Sequence, residues 1–425
     1  MQISGKTVAF LTTYPLAVPR HGGQIRSAQV VKALRNIGLN VVTIGIADER
    51  AYSPDHMSPT DIAFPADSPF RLVNGARAPY ANDYLSGIYA AEDEQAYRRI
   101  LASLPNRIDI IFLEQPWMLP VARKLRCDRD VGLLVYDSQN DETALKVPIL
   151  RKFHSDLADA LLGAISSQEQ AACHEADVVF SVSSSDQATL SSYSSTTVLL
   201  ATNGVEPWQA SERELQRWQQ VFARDIPNFG LYVASAHPPN FLDFFDVFAD
   251  RFGFLAPNEA ICIFGGAALH IEKLLKGRDY EDLSRSRLRF PGVVEAAALA
   301  AIKQLARVFV LPILDGSGSN LKTAEALFSC KWVVGTPISF RGFESFTTLP
   351  HVVVANPGRD FCDAVKDAMA SPPPFLTEEH RQRLLELTWE RTLAPMVSAI
   401  ASKMGLDRAV SLSGASSLES TPSTG

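Results

Sequence analysis

The chain has 425 residues, too many for one ordinary core and enough for two or three domains of roughly 100–200 residues each. Apolar residues make up 46% and charged ones 20%, which excludes a disordered chain, and a net charge of −7 without a basic stripe argues against a nucleic-acid partner. The five cysteines show no C-x-x-C spacing; most sit in apolar stretches and read as small buried side chains in a reducing compartment, not as a zinc site.

The first residues, "MQISGKTVAFLTTYP", lack the charged start and long apolar run of a signal peptide. No apolar run approaches the ~18 residues that a membrane span needs. The expectation is a soluble, cytoplasmic protein.

"KTVAFLTT" (6–13) predicts a buried strand, followed by a loop with Gly22-Gly23. "QIRSAQVVKALRNIG" (24–38) has helical apolar spacing and a glycine at its stop, and "NVVTIGIA" (40–47) is the next strand. That order is a βαβ unit, which implies a right-handed crossover and a parallel sheet. Residues 48–108 are irregular and their elements are not assigned. Further strands are predicted at 109–115, 132–138 and 177–183, with a long helical region over 141–175. After a polar break at 201–227 the pattern restarts, with strands at 228–235, 260–266, 288–294, 307–313, 332–337 and 351–356. Two doubly wound α/β domains follow, divided at 205/206, the second ending at 375. Over 376–405, Thr377 is placed to cap a helix whose first turn carries Glu378 and Glu379, and Pro395 should kink or split it. The Ser-rich segment 406–425 reads as a disordered tail.

The stretch richest in chemistry is "LDGSGSNLKTAEALF" (314–328), at the carboxyl end of a strand, where open α/β sheets bind ligands. Gly316 and Gly318 let the backbone approach an anion closely, and the helix that follows offers unpaired N–H groups. Lys322 and Glu325, three apart, share one helical face. A cation beside N–H groups suits a diphosphate, and a carboxylate one turn on suits adjacent ribose hydroxyls. The other reading is a solvated i,i+3 ion pair after a flexible loop, worth a few tenths of a kcal/mol.

This segment, two Rossmann-like halves and a closing C-terminal helix resemble the GT-B glycosyltransferases, in particular the retaining enzymes of family 4 (glycosyl transferases group 1). Gly22-Gly23 is similar to that group's N-terminal glycine loop, "YDSQNDE" (136–142) to its strand-end D-x-H-N-x-E, and "EADVVFSVSSSDQATL" (175–190) to its acidic AD-strand-S-x-x-D signature. "TNGVE" (202–206) resembles its P-N-G-V-D approach to the linker, and "YVASAHPPN" (232–240) and "RFPGVV" (289–294) two segments of its donor half. Together these cover about 35 to 360.

The resemblance implies two doubly wound α/β domains facing across a cleft, 1–205 on the acceptor side and 206–375 on the donor side, with the C-terminal helix closing back over the first. It implies sugar transfer from a nucleotide-diphosphate sugar to a saccharide, lipid-linked or small-molecule acceptor, with retention and with neither metal nor cofactor. Lys322 and the N–H groups of Gly318, Ser319 and Asn320 would stabilise the leaving diphosphate. Glu325 would hold the ribose, with Gly316, Ser317 and Leu321 completing the loop and His237 adding a donor. Gly22 and Gly23 would reach the donor from the other half. Glu114 and Asn140 are the acceptor-side candidates by the strand-end rule.

The helical stretch 146–163 mixes Lys146, Arg151 and Lys152 with Val147, Ile149, Leu150 and Phe153. It is either a peripheral contact with the inner membrane face or a buried amphipathic helix. Two departures stand out. The group commonly carries two glutamates eight apart, and eight before Glu325 stands Ser317; it often has an Arg and a Lys after the donor half's first strand, and "ASAHPPNFLDFF" (234–245) has neither. Two further readings stay open, a degenerate GT-B domain that binds without turnover and a nucleotide-sugar 2-epimerase.

Overall fold

A computed structural model describes residues 5–249, 251–316 and 318–405 of the chain. The predicted tail 406–425 and Ser317 lie outside the described residues. The chain forms two compact units: residues up to Thr202 with those from Leu393 onward, and Asn203–Thr392.

The first unit is built on β1 (Thr7–Thr12), β2 (Asn40–Asp48), β3 (Ile62–Phe64), the hairpin β4 (Leu72–Val73) and β5 (Ala76–Arg77), β6 (Arg107–Leu113), β7 (Asp130–Asp137), β8 (Val178–Ser181) and β9 (Val198–Leu200). Seven of these make a parallel sheet in the order β3-β2-β1-β6-β7-β8-β9. β1 is buried along all six residues, as expected of a parallel strand covered by helices on both faces. The helix Gly22–Asn36 makes the crossover from β1 to β2. The stretch left unassigned, 48–108, holds β3, the hairpin and the helices Asn82–Glu92 and Glu94–Ala102. Its strands are two or three residues long, too short to show a period. The region 141–175 is two helices, Glu142–Phe153 and Ala158–Glu175. Lys146 in the first is buried and pairs with Asp83 at 2.6 Å, so it faces inward.

The second unit is built on β10 (Asn228–Val233), β11 (Glu259–Phe264), β12 (Leu288–Gly292), β13 (Val308–Leu311), β14 (Trp332–Gly335) and β15 (Val352–Val354). Its parallel sheet runs β12-β11-β10-β13-β14-β15. That order repeats β3-β2-β1-β6-β7-β8, the doubly wound arrangement in which the chain reverses direction between β1 and β6 and between β10 and β13. Three phenylalanines after β10 (Phe244, Phe245 and Phe248) and Phe252 pack against one another in its core, mostly edge-to-face or tilted.

The predicted C-terminal helix is three, Glu378–Leu385, Trp389–Thr392 and Ala394–Lys403. Thr377 caps the first, its hydroxyl accepting from the His380 N–H at 3.3 Å. Pro395 sits in the first turn of the last, where its missing N–H costs nothing. That last helix packs on β8 and β9. Among the described residues no helix is long and apolar enough to cross a membrane.

Candidate functional site

In the second unit, the ends of β10, β13 and β14 converge on one loop. β13 stops at Leu311, whose carbonyl accepts from Ser339 Oγ at 2.6 Å, while Thr323 Oγ1 donates to the Ser339 carbonyl at 2.6 Å. These bonds pin the start of the loop and the start of the helix Leu321–Phe328 to the segment after β14. Gly316 (φ +133°) and Gly318 (φ +73°) adopt backbone conformations that L side chains rarely reach. Ser319 is buried, its carbonyl accepting from Asn203 Nδ2 at 2.8 Å. Asn320 precedes the helix in an extended conformation and its side chain does not cap it. The first N–H groups of that helix therefore lack an intrahelical acceptor.

Lys322, in the first turn, donates from Nζ to Asn240 Oδ1 and lies 5.4 Å from the centre of the Tyr232 ring. Asn240 is itself fixed: its carbonyl accepts from Tyr232 Oη at 2.8 Å and its Nδ2 donates to the Ser235 carbonyl at 3.0 Å. Desolvation lowers the pKa of Lys322 to about 7. His237 is exposed on the same short loop. Glu325, one turn on, pairs with Lys303 at 2.8 Å, and Lys303 lies 4.8 Å from the Trp208 ring centre. Among the described residues no ion pair joins Lys322 to Glu325, so the solvated-pair reading of this face is not what the structure holds.

Arg341, which follows β14 and a short 3-10 turn (Pro337–Phe340), completes the cluster. Its Nη1 donates to the Gly316 carbonyl at 2.6 Å and its Nε to the Gly318 carbonyl. Asn240, Lys303 and Arg341 escape the sequence reading because they lie far from the loop along the chain. Applying the strand-end rule to β14 as well as β13 would have pointed to Arg341.

In the first unit the predicted residues form a separate network. Gly22 and Gly23 open the helix instead of lying in a loop before it, and His21 is the cap, accepting from the Gln24 N–H at 3.4 Å. Burial pushes the His21 pKa down to about 4, so it is a neutral ring, within 3.0 Å of Tyr52 Oη. A Cβ on Gly23 would stand 2.7 Å from Gln139 Oε1, so a larger residue there would displace the Gln139 amide. Glu114 follows β6 and is fully buried. Its Oε1 lies 2.8 Å from Ser27 Oγ and 3.1 Å from Gln139 Nε2, and its Oε2 is buried without a hydrogen-bond partner. Burial, and then the Asp137 charge, raise its pKa well above the usual carboxylate range. Beside it Arg26 grips Asp137 through two bonds of 2.9 and 2.7 Å, both residues fully buried. Asn140, after β7, is half-buried and donates to Glu142 Oε1 at 3.1 Å. The structure thus joins Gly23 to Glu114, and gathers Lys322 with the Gly316–Leu321 loop, Asn240 and Arg341.

No family model matches the chain, and no curated protein matches it in sequence. Solved structures do match. Sucrose-phosphate synthase from Thermosynechococcus elongatus is 18% identical with a TM-score of 0.65, covering 96% of this chain and 100% of its own. The fold is GT-B. Anabaena HepE, in complex with UDP and glucose, matches over 96% of this chain and 99% of its own at 12% identity and TM-score 0.57. The catalytic domain of starch synthase IV from Arabidopsis thaliana, bound to ADP and acarbose, does so over 96% and 99% at 13% identity and TM-score 0.59.

Proposed function

We propose that the chain is a glycosyltransferase that moves a sugar from a nucleotide-diphosphate sugar to an acceptor hydroxyl, with retention of configuration and with neither metal nor cofactor. The observation that carries this reading is the loop Gly316–Leu321: glycines at positive φ, a helix start and the desolvated Lys322 meet at the switch point of the sheet. The difficult step is C–O cleavage with charge growing on the leaving diphosphate. Donors fixed in advance at that place lower its barrier without reorganising. Lys322 and the N–H groups of Gly318, Ser319 and Asn320 take that role. Glu325 accepts from the ribose hydroxyls, with Lys303 paired to its other side at 2.8 Å. The relatives crystallised with UDP and ADP support a nucleoside diphosphate as the carrier.

On the acceptor side the partly exposed Asn140 is the better candidate, because Glu114 is sealed beneath the helix start and acts through Ser27 and Gln139. The acceptor is a saccharide, a lipid-linked sugar or a small molecule. Lys146 is taken up by Asp83, so any peripheral membrane contact of a cytoplasmic enzyme falls to the exposed Arg151, Lys152 and Phe153.

The test is a thermal-shift panel of UDP, GDP, ADP and their sugars against the wild type, Lys322→Ala and Glu325→Ala. A nucleotide at 100 times its dissociation constant adds about 2.7 kcal/mol of stability. One nucleotide should stabilise the wild type, and both variants should lose most of that response. No shift with any nucleotide would sink the donor-site reading. Binding with no donor hydrolysis and no transfer would favour a degenerate domain.

A further inference from the structure

In the loop that carries the donor reading, Asp315 Oδ1 accepts from the Gly316 N–H at 2.7 Å, while Gly316 and Gly318 leave the backbone free to turn, since glycine populates both signs of φ. A peptide group is planar and trans, so its N–H points opposite to its C=O. A loop of this kind presents N–H groups to an anion only when something outside it holds the carbonyls back. Here Asn203 Nδ2 holds the Ser319 carbonyl at 2.8 Å, and one guanidinium holds the two glycine carbonyls. Arg341 reaches from the end of the neighbouring strand, and two of its nitrogens take the Gly316 and Gly318 carbonyls together. An ideal Cβ on Gly316 would lie 3.6 Å from Arg341 Nη2 and 4.0 Å from Pro239 Cβ, so Gly316 borders both the arginine and the loop that carries His237 and Asn240. Guanidinium suits the task because it is planar, forked and permanently charged. Lys322, by contrast, is held by a neutral amide.

Resting on the donor-site reading, we propose that Arg341 is the positioning residue of this site: by gripping the carbonyls of Gly316 and Gly318 it fixes the loop so that the Ser319 N–H, opposite the Gly318 carbonyl, is left to a nucleoside diphosphate. It also supplies from the end of β14 the fixed positive charge that the segment 234–245 lacks. The consequence is selective. Loss of the grip weakens recognition of the diphosphate and spares the nucleoside.

The experiment is calorimetric titration of wild type, Arg341→Ala and Arg341→Lys with UDP, ADP and GDP and with the matching nucleosides. Amide hydrogen exchange over residues 312–322 is followed in parallel. For the diphosphate that binds the wild type, Arg341→Ala should lose at least tenfold in affinity, and the nucleoside less than threefold. Arg341→Lys keeps the charge without the fork and should lose nearly as much, and exchange in the loop should speed up in both variants. If both variants bind the diphosphate within twofold of wild type, the inference is wrong and the donor site stands. An Arg341→Lys variant that binds like wild type means that charge, not the grip, is what matters, and overturns the positioning role. Equal losses for diphosphate and nucleoside mean general damage and overturn it too. If the wild type binds no diphosphate, the donor reading falls and takes this inference with it.

Discussion

The two sheets share a strand order and put opposite chemistry at equivalent strand ends. At the ends of β1, β6 and β7 the chain places Tyr14, Glu114 and Asp137, all buried, with Arg26 bonded twice to Asp137 and Ser27 and Gln139 against Glu114. After β10, β13 and β14 it places Asn240, the loop of Gly316 and Gly318 with Asp315 turned onto the Gly316 N–H, and Arg341, with Lys322 bonded to the Asn240 amide. Arg26 is a buried cation whose counter-charge is built into the fold. Lys322 is a desolvated cation whose partner is an amide. A desolvated charge without a counter-ion costs folding free energy, and such groups cluster where a ligand brings the opposite charge. The first unit closes its buried cation on an acid, and the second leaves Lys322 to be completed.

The largest test of that contrast is in the first unit. Arg26→Ala strands Asp137 and should cost about 3–5 kcal/mol, whereas Arg26→Met with Asp137→Leu, which removes both charges, should cost under about 2 kcal/mol. Urea unfolding at pH 7 measures both. A single variant that loses less than about 1 kcal/mol would show that the pair is not the sealed structural element described here.

The fold was legible because both sheets are parallel and covered on both faces, so runs such as "VAFL" and "VFVLP" are apolar throughout and stand out between helical stretches. The short strands β3, β4 and β5 escaped for lack of length. Of the site, Lys322 and the two glycines were legible because they are contiguous and local physics gives them a role. Arg341, Asn240 and Lys303 were not, because only strand adjacency brings them to the loop and one sequence does not show which strands are neighbours. Glu114 was legible as a strand-end acid, but its burial was not: that depends on Ser27, Gln139 and Tyr14 closing over it from separate segments.

The second test sharpens the open half of the comparison. The Lys322 pKa, lowered to about 7 by desolvation, should rise again when a diphosphate supplies counter-charge. Binding then takes up a proton. Affinity is therefore full below pH 7 and falls as pH rises from 7 towards the bound-state pKa. We expect at least a tenfold loss of nucleoside diphosphate affinity between pH 7 and 9, read by calorimetry in buffers of different ionisation heat. Lys322→Arg, which cannot deprotonate, should flatten that slope. A slope that survives in the arginine variant would assign the proton to another group.

The smallest effect returns to the first unit, where Glu142 is buried beside Asn140 and Lys146. Desolvation, opposed by the Lys146 charge, raises its pKa to about 8. Its folded value therefore lies above its unfolded one of about 4.5. Between those values the folded state binds more protons, so the stability this group contributes is fully present below pH 4.5 and is lost as pH rises through 8. Glutamine keeps the oxygen that accepts from Asn140 Nδ2 and does not titrate. Glu142→Gln should match the wild type at pH 5 and exceed its Tm by about 2–4 °C at pH 9, a gain of about 1 kcal/mol for a unit of this size. Glu169, raised to about 6, adds a loss of the same sign at lower pH, so the variant keeps part of the wild-type slope. If instead the glutamine variant is less stable than wild type at pH 9, Glu142 is ionised in the fold and held so by Lys146, and this corner is then a paired charge like Arg26 with Asp137.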